Sequence, residues 1–307
     1  MMKSPFQADQ QGAAHAIKAG RPLRDPGDWT ADLHLHSTFS DGVKTPAELC
    51  SMARKAHVQF LSLTDHDTAA GLEEMARCAQ AQGMQFIPGA EVSTGESGSV
   101  HVLGYGEKIR CDEMTAFLLA VASDRVRRAE RMIDLLQNEG ILFSQQTREQ
   151  LLSNPSVGRP HIARALVEIG AASTVRQAFD RYLIRGRCGY VPRQLPSTGE
   201  TVRTMRRCGV VPVLAHPLKT GLDWPALNAL LLELKGSGLM GLEACHSSVH
   251  ASDAQLLDKL ARSLGLLVTG GSDYHGDPGS TIHIGRLPSG WPSRREDLNA
   301  LLEAIQG

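Results

Sequence analysis

The sequence predicts an α/β fold: a parallel sheet or barrel of repeated strand–helix units, interrupted by an inserted helical subdomain. Three observations carry this expectation. Short apolar runs alternate with helical stretches from residue 31 to about 104 and again from 210 to 269, strands vanish between Cys111 and Tyr190, and residues of metal-ligand type stand at the ends of the apolar runs.

Taken in order, residues 1–28 are polar, rich in Gln, Ala and Gly, and broken by Pro22 and Pro26, so they read as an N-terminal extension. Residues 31–36 read as the first strand, 46–56 as a helix with Thr45 at its N-cap, and 58–64 as the second strand. A helix over 71–82 follows, then extended runs at 86–91 and 101–104. Residues 112–138 form a long charged helical pattern that stops at Gly140, and 149–152, 161–169 and 175–183 are shorter ones. Strand patterns resume at 210–215, 239–244 and 266–269, most of them followed by a helix. The chain thus divides into the extension 1–28, a barrel made of 29–110 and 190–307, and a helical subdomain 111–189.

A chain of 307 residues can bury roughly three quarters of its unfolded surface, enough for an enzyme domain with an insertion. The hydrophobic fraction of 42%, charged fraction of 21% and net charge of −1 fit a water-soluble protein and argue against bulk coating of nucleic acid. No apolar run reaches the roughly 18 residues of a membrane span, and the N-terminus lacks a secretory apolar core. A cytoplasmic protein is expected. The six cysteines are scattered without a Cys-x-x-Cys pair, which suggests reduced thiols rather than a disulfide framework or a zinc knuckle.

The first strand contains His34-Leu-His36, whose alternate residues share a face, with Asp41 just beyond. Asp65-His66, Glu91, His101, His216 and Asp273-x-His275 occupy comparable places at other strand ends, the rim where barrel enzymes build active sites. Any one of them alone reads more simply as a core or capping residue. Together they read as a nest for Mn²⁺, Fe²⁺ or Zn²⁺, with a carboxylate such as Glu91 able to bridge two ions. Clustered ions acidify a shared water and clamp the oxygens of a displacement at phosphorus, so phosphate ester hydrolysis is the expected chemistry. His15, His57 and His283 lack this placement, and His246 and His250 follow a strand but stay outside the set.

Four separated motifs resemble the polymerase and histidinol phosphatase (PHP) family of phosphoesterases: Asp32-Leu-His34-Leu-His36 with Ser40-Asp41-Gly42; Leu63-Thr-Asp65-His66-Asp67; Pro88-Gly-Ala-Glu91 with His101; and Ala215-His216-Pro217 with Gly271-Ser-Asp273-Tyr-His275. The resemblance spans about residues 29–286. It implies a distorted seven-stranded (βα)7 barrel holding two or three divalent ions, Mn²⁺ foremost with Fe²⁺, Zn²⁺ or Mg²⁺ as alternatives. The implied ligands are His34, His36, Asp41, His66, Glu91, His101, His216, Asp273 and His275. Within the family the insertion is similar to that of the 3′,5′-nucleoside bisphosphate phosphatases and the related 5′–3′ exoribonucleases. The matching residues are Asp124-Arg125-Val-Arg127-Arg128 and Gly158-Arg159-Pro160-His161-Ile-Ala-Arg164.

Guanidinium groups on such an insertion suit a substrate with two phosphates, since they can grip one while metals act on the other. Arg125, Arg128, Arg159 and His161 are therefore the expected substrate-binding residues, His161 lying near a helix N-terminus that favours an anion. The plainer alternative for Arg127 and Arg131 is a solvated helix face, and Arg203, Arg206 and Arg207 are assigned to solvent. The expected reaction is attack by metal-bound hydroxide on the 3′-phosphate of a nucleoside 3′,5′-bisphosphate, yielding a 5′-mononucleotide and phosphate, with short 5′-phosphorylated RNA as a related substrate. The general acid stays unassigned, and neither a membrane nor a protein partner is indicated. Rival readings are a histidinol phosphatase or another small phosphomonoesterase, a metal-dependent amidohydrolase, and a non-catalytic metal-binding regulatory module. The amidohydrolase reading lacks a bridging lysine, for none lies between Lys55 and Lys108.

Overall fold

A computed structural model describes residues 30–95, 100–154, 157–287 and 294–307. The extension 1–28 lies outside the described residues. Seven strands form one sheet in sequential order: β1 (Ala31–Asp32), β2 (Phe60–Leu63), β3 (Gln85–Thr94), β4 (Val100–Tyr105), β5 (Val211–Leu214), β6 (Gly241–His246) and β7 (Leu267–Gly271). The sheet curls into a nearly closed barrel. Leu33 N donates to Gly270 O, His36 N to Tyr274 O and Asp273 N to His34 O, joining the segments that follow the first and last strands.

One crossover departs from the expected strand–helix repeat. β4 runs antiparallel to both β3 and β5, while the other neighbours are parallel. Only residues 95–99 separate β3 from β4, too few for the dozen or so that a parallel crossover needs. A hairpin results, and it carries β3 past the expected end at Glu91 to Thr94. His101 consequently stands near the amino end of its strand, the end that shares a rim with the carboxyl ends of the parallel strands.

Helices α1 (Pro46–Lys55) and α2 (Leu72–Ala81) cover the first strands. Thr45 caps α1 as expected, its hydroxyl accepting from Glu48 N while the Glu48 carboxylate accepts from Thr45 N. The insertion consists of α3 (Asp112–Asn138), α4 (Gln145–Ser153), α5 (Arg159–Glu168) and α6 (Val175–Ala178), the last continued by a π-helical turn at Phe179–Leu183. The barrel then resumes with α7 (Thr198–Arg207), α8 (Trp224–Gly236), α9 (Ala251–Ser263) and α10 (Arg295–Gln306). No described helix is long and apolar enough to cross a membrane.

Three apolar clusters hold these parts. The barrel interior is filled by Ile87, Leu103, Tyr105, Val211 and Val213 and closed at one end by Leu298 and Leu301 of α10. A larger cluster joins the outer strand faces to the helices and includes Met114, Leu118 and Val121 from the first half of α3. The second half of α3 contributes Ala129, Met132, Ile133 and Leu136 to a separate cluster with Ile162, Leu166 and Leu183 of the insertion. One helix of 27 residues, about 40 Å long at 1.5 Å per residue, thus belongs to both cores.

Candidate metal centre

Strand periodicity explains how polar groups come to line one end of an apolar barrel. Residues two apart on a strand face the same way, so Glu91 continues the inward row of Ile87, and His101 continues that of Tyr105 and Leu103. Beyond β1 the period shifts: Ala31 and Leu33 belong to the interior cluster, yet His34 and His36 are the side chains that turn to the rim, and all four groups are brought into one buried space.

Glu91 is fully buried at its centre. Its Oε1 lies 2.8 Å from His101 Nδ1 and 2.9 Å from His216 Nε2. Its Oε2 lies 3.3 Å from His34 Nε2, 3.2 Å from His36 Nε2 and 3.0 Å from His66 Nδ1. Asp273 Oδ1 faces His34 Nε2 at 3.5 Å and His36 Nε2 at 3.2 Å. Asp41 completes the other side, 3.1 Å from His275 Nε2 and 3.7 Å from His66 Nε2. All nine residues expected from the motifs are brought together. Among the described residues three overlapping groups have donor atoms close enough to share an ion: His34, His36, Glu91 and Asp273; His36, Asp41, His66 and His275; and His66, Glu91 and His101. His216 joins them through Glu91.

The donor atoms fit metal ions better than they fit one another. His34 Nε2, His36 Nε2 and Glu91 Oε2 are buried and make no hydrogen bond, although the two ring nitrogens stand 3.3 and 3.2 Å from that oxygen. Ligands about 2.1 Å from a shared ion are separated by roughly 3 to 3.5 Å. The charges point the same way. Burial opposes ionisation of Glu91, yet His66, His101 and His34 hold its carboxyl well below the usual range. Asp41 and Asp273 are likewise held low against burial, chiefly by His66 and His34 respectively. Burial would depress His36, but Asp273 and Glu91 override it and push the ring up to about 10. Burial pushes the His66 and His216 rings down instead, so the nest combines ionised carboxylates with imidazoles of both kinds, and divalent ions binding there displace protons.

Three backbone positions that carry this rim are left-handed without being glycine: Asp67 at φ 55°, His216 at φ 26° and Asp273 at φ 55°. Such conformations are uncommon for side-chain-bearing residues and mark sites where surroundings dictate the backbone. Glycine is required at one neighbouring point. A Cβ on Gly271 would collide with the Cβ of His34 and come within 2.5 Å of its backbone nitrogen.

Several residues outside the expected ligand set shape the pocket. Asp65 accepts from Ser37 N at 2.7 Å and from the Ser37 and Ser40 hydroxyls at 2.7 and 2.5 Å, holding the turn that presents Asp41. Asp32 accepts from Ser272 N and Gly285 N at 2.8 and 2.9 Å, tying the segment before Asp273 to β1. Neither Asp65 nor Asp67 caps a helix. Glu243 and His246 are fully buried beside the ligands, whereas His250 is exposed at the start of α9, as are His57 and His283.

The insertion reaches the rim through arginines. Arg125 Nε contacts Asp67 Oδ2, and its Nη2 donates to Ser93 Oγ at 2.9 Å. Arg193, which no motif signals, lies 3.4 Å from Asp67 Oδ2 and 3.4 Å from Asp124 Oδ2. Arg164 donates to Asp41 O at 3.2 Å and to Asp277 at 2.6 Å. Arg128 donates to Val191 O at 2.6 Å, and Arg159 lies over the Phe179 ring at 5.8 Å. Burial, with Arg159, Arg193 and Arg125 nearby, pushes the Arg128 guanidinium down to about 9. The expected substrate residue His161 is largely engaged locally. Its Nδ1 accepts from Gly158 N at 3.2 Å, capping its own helix, and its Nε2 is 3.2 Å from Asn154 Nδ2. Arg127 and Arg131 are exposed, as are Arg203, Arg206 and Arg207.

The sequence profile of the PHP domain matches residues 32–181. A 5′-3′ exoribonuclease of Haemophilus influenzae is 33% identical over 275 residues, covering 89% of this chain and 96% of that protein. The chain belongs to the PHP family. A 3′,5′-nucleoside bisphosphate phosphatase of Chromobacterium violaceum is 33% identical over 262 residues, 84% of this chain and 92% of that protein. Among solved structures, one from Bifidobacterium adolescentis described as a metal-dependent phosphoesterase superposes with a TM-score of 0.78 at 28% identity, covering 91% of this PHP chain and 98% of its own. The PHP barrel is therefore a shared fold, and this chain, which carries a metal-capable His/Asp/Glu nest on it, is a PHP phosphoesterase of the hydrolase class.

Proposed function

We propose that the protein removes the 3′-phosphate of nucleoside 3′,5′-bisphosphates, releasing a 5′-mononucleotide and phosphate, and that the same site takes short 5′-phosphorylated RNA. The single observation that carries this reading is the crowding of Arg125, Arg128, Arg159 and Arg193 beside the metal-capable nest, strong enough to depress Arg128 through burial and mutual repulsion. Arg125 and Arg193 share Asp67, but among the described residues no ion pair joins Arg128 or Arg159 to a carboxylate. Arg128 and Arg159 are half-buried, and a partly desolvated surplus of guanidinium charge favours a bound anion. A second phosphate on the substrate supplies that anion.

Residues 111–189 then act as the substrate-binding subdomain of a barrel formed by 29–110 and 190–307. His34, His36, Asp41, His66, Glu91, His101, His216, Asp273 and His275 hold two or three divalent ions, Mn²⁺ first among them. Bound ions supply an acidified water and neutralise charge on the phosphoryl oxygens. The chain's own contribution is position and exclusion. Arg128 and Arg159 bind the 5′-phosphate by charge-assisted hydrogen bonds, and Arg125 and Arg193 fix the insertion against Asp67 so that the grip and the nest keep one spacing. We place this activity in the cytoplasm, where nucleotide and RNA fragments are metabolised.

The reading is tested by comparing turnover of adenosine 3′,5′-bisphosphate, adenosine 3′-phosphate, histidinol phosphate and a 5′-phosphorylated RNA oligomer under matched Mn²⁺. The bisphosphate is expected to exceed the singly phosphorylated substrates by at least tenfold in kcat/KM. A preference for histidinol phosphate would overturn the proposal.

A further inference from the structure

Strand β6 carries two fully buried ionisable side chains, Glu243 and His246, that the ligand set does not use. Lying three residues apart, they would face opposite sides of a regular strand. Both point to the metal-capable nest because the pairing with β7 slips between them. Glu243 pairs with Thr269, but Cys245 rather than Ala244 pairs with Gly270, and His246 with Gly271. The extra residue is a β-bulge, a device that re-aims side chains near active sites.

We propose that Glu243 and His246 are positioning residues of the metal centre, brought onto it by this bulge: Glu243 orients His34 and His216, and His246 orients Asp273. The inference rests on the metal-binding reading given above. Glu243 uses both oxygens, Oε1 at 2.9 Å from His34 Nδ1 and Oε2 at 2.7 Å from His216 N. An ionised carboxylate only accepts, so the His34 proton sits on Nδ1. Its Nε2, aimed at Glu91 and Asp273, then presents a lone pair when the ring is neutral. The second bond restrains His216 in its left-handed conformation, φ 26° and ψ 61°, from which its ring reaches Glu91 Oε1.

His246 works on the opposite side. Ser248 N donates to its Nδ1 at 3.0 Å, so the ring's proton is on Nε2, which donates to Asp273 Oδ2 at 3.1 Å. Lys219 Nζ donates to the same oxygen at 2.6 Å. With Oδ2 occupied twice, Oδ1 is the oxygen turned to His34 and His36. Partners of this kind fix ligand orientation, and their loss costs about 10- to 100-fold in metal affinity.

The test titrates chelator-stripped wild type, Glu243→Gln, His246→Leu and His246→Gln with Mn²⁺ by calorimetry, beside thermal melting of each metal-free protein. Glutamine at 243 can accept from only one of the two donors, so Mn²⁺ affinity is expected to fall about 10- to 100-fold. His246→Leu should fall comparably, and His246→Gln, which keeps an N–H near the Nε2 position, should recover most of the loss. Variants that bind Mn²⁺ within twofold of wild type overturn the proposal, and an equal loss for His246→Leu and His246→Gln overturns the part concerning His246. If Glu243→Gln does not fold, the His246 pair decides. A folded wild type that takes up no Mn²⁺ overturns the metal-centre reading itself, and the inference falls with it.

Discussion

His34 Nε2 stands 3.3 Å from Glu91 Oε2 inside the protein, and no hydrogen bond joins them. Two strong polar atoms at that spacing, each shut off from water, are stabilised when a cation lies between them. Exhaustive chelation is therefore expected to abolish phosphate ester hydrolysis, with Mn²⁺ restoring it. Free Mn²⁺ at 100 times its dissociation constant should add about 2.7 kcal/mol of stability per independent site, visible as a rise in Tm. Hydrolysis that survives complete metal removal, verified by elemental analysis, contradicts this.

Arg159 lies over the Phe179 ring and, among the described residues, forms no ion pair with a carboxylate. Arg159→Ala should raise KM for the bisphosphate roughly 10- to 100-fold, the equivalent of about 1.5–3 kcal/mol for a charged hydrogen bond. Turnover of an aryl phosphate, which lacks the second anion, should change less than threefold. Steady-state kinetics on both substrates, at equal bound metal, decides the matter; parallel losses on both are the contrary result.

Asp67 links the barrel rim to the insertion through Arg125 directly and through Arg193, which also pairs with Asp124 of α3. Burial would raise its pKa, but the two guanidinium groups win and lower it from 3.8 to about 2. A depressed carboxylate stabilises the folded state above its unfolded pKa and loses that contribution as pH falls through the folded value. The stability gap between wild type and Asp67→Asn should thus be about 2 kcal/mol near neutral pH, hold steady down to about pH 4, and shrink between about pH 4 and 2. Urea melts across that range measure it. A gap that widens on acidification has the wrong sign.

Gly271→Ala tests how tightly the first and last strands approach. The new methyl would meet the Cβ and backbone nitrogen of His34, neither of which can swing aside as a flexible side chain would. Overpacking of this sort costs about 1–3 kcal/mol, and the displacement falls on a metal-capable histidine. Lower Tm and weaker Mn²⁺ binding are expected together. A substitution without effect on either would show that β7 has slack.

The parts of the site that were legible in the sequence are those governed by short-range periodicity. His34 and His36 announce a shared face by being two apart, and the inward direction of Glu91 follows from its spacing from Ile87. The reversal of β4 was legible in principle, since the nine residues between the expected runs 86–91 and 101–104 are too few for a crossover helix. The long helix matched its expected limits because Gly140 and the charge pattern mark them plainly. Glu243 and His246 resisted the same reading because a bulge breaks the two-residue period without altering composition. Arg193 lies between elements, where no repeat signals which way a side chain points. His161 was recognisable by its motif, but only the folded helix shows its ring turned back on Gly158.

The uninterrupted run of α3 through two apolar clusters has a mechanical corollary. Its lower turns are buried with the barrel and its upper turns with the insertion, and Arg125 occupies the stretch between them. The helix crosses from one core to the other without a break, so among the described residues α3 holds the Arg125 guanidinium at a set reach from the imidazoles, like one arm of a calliper.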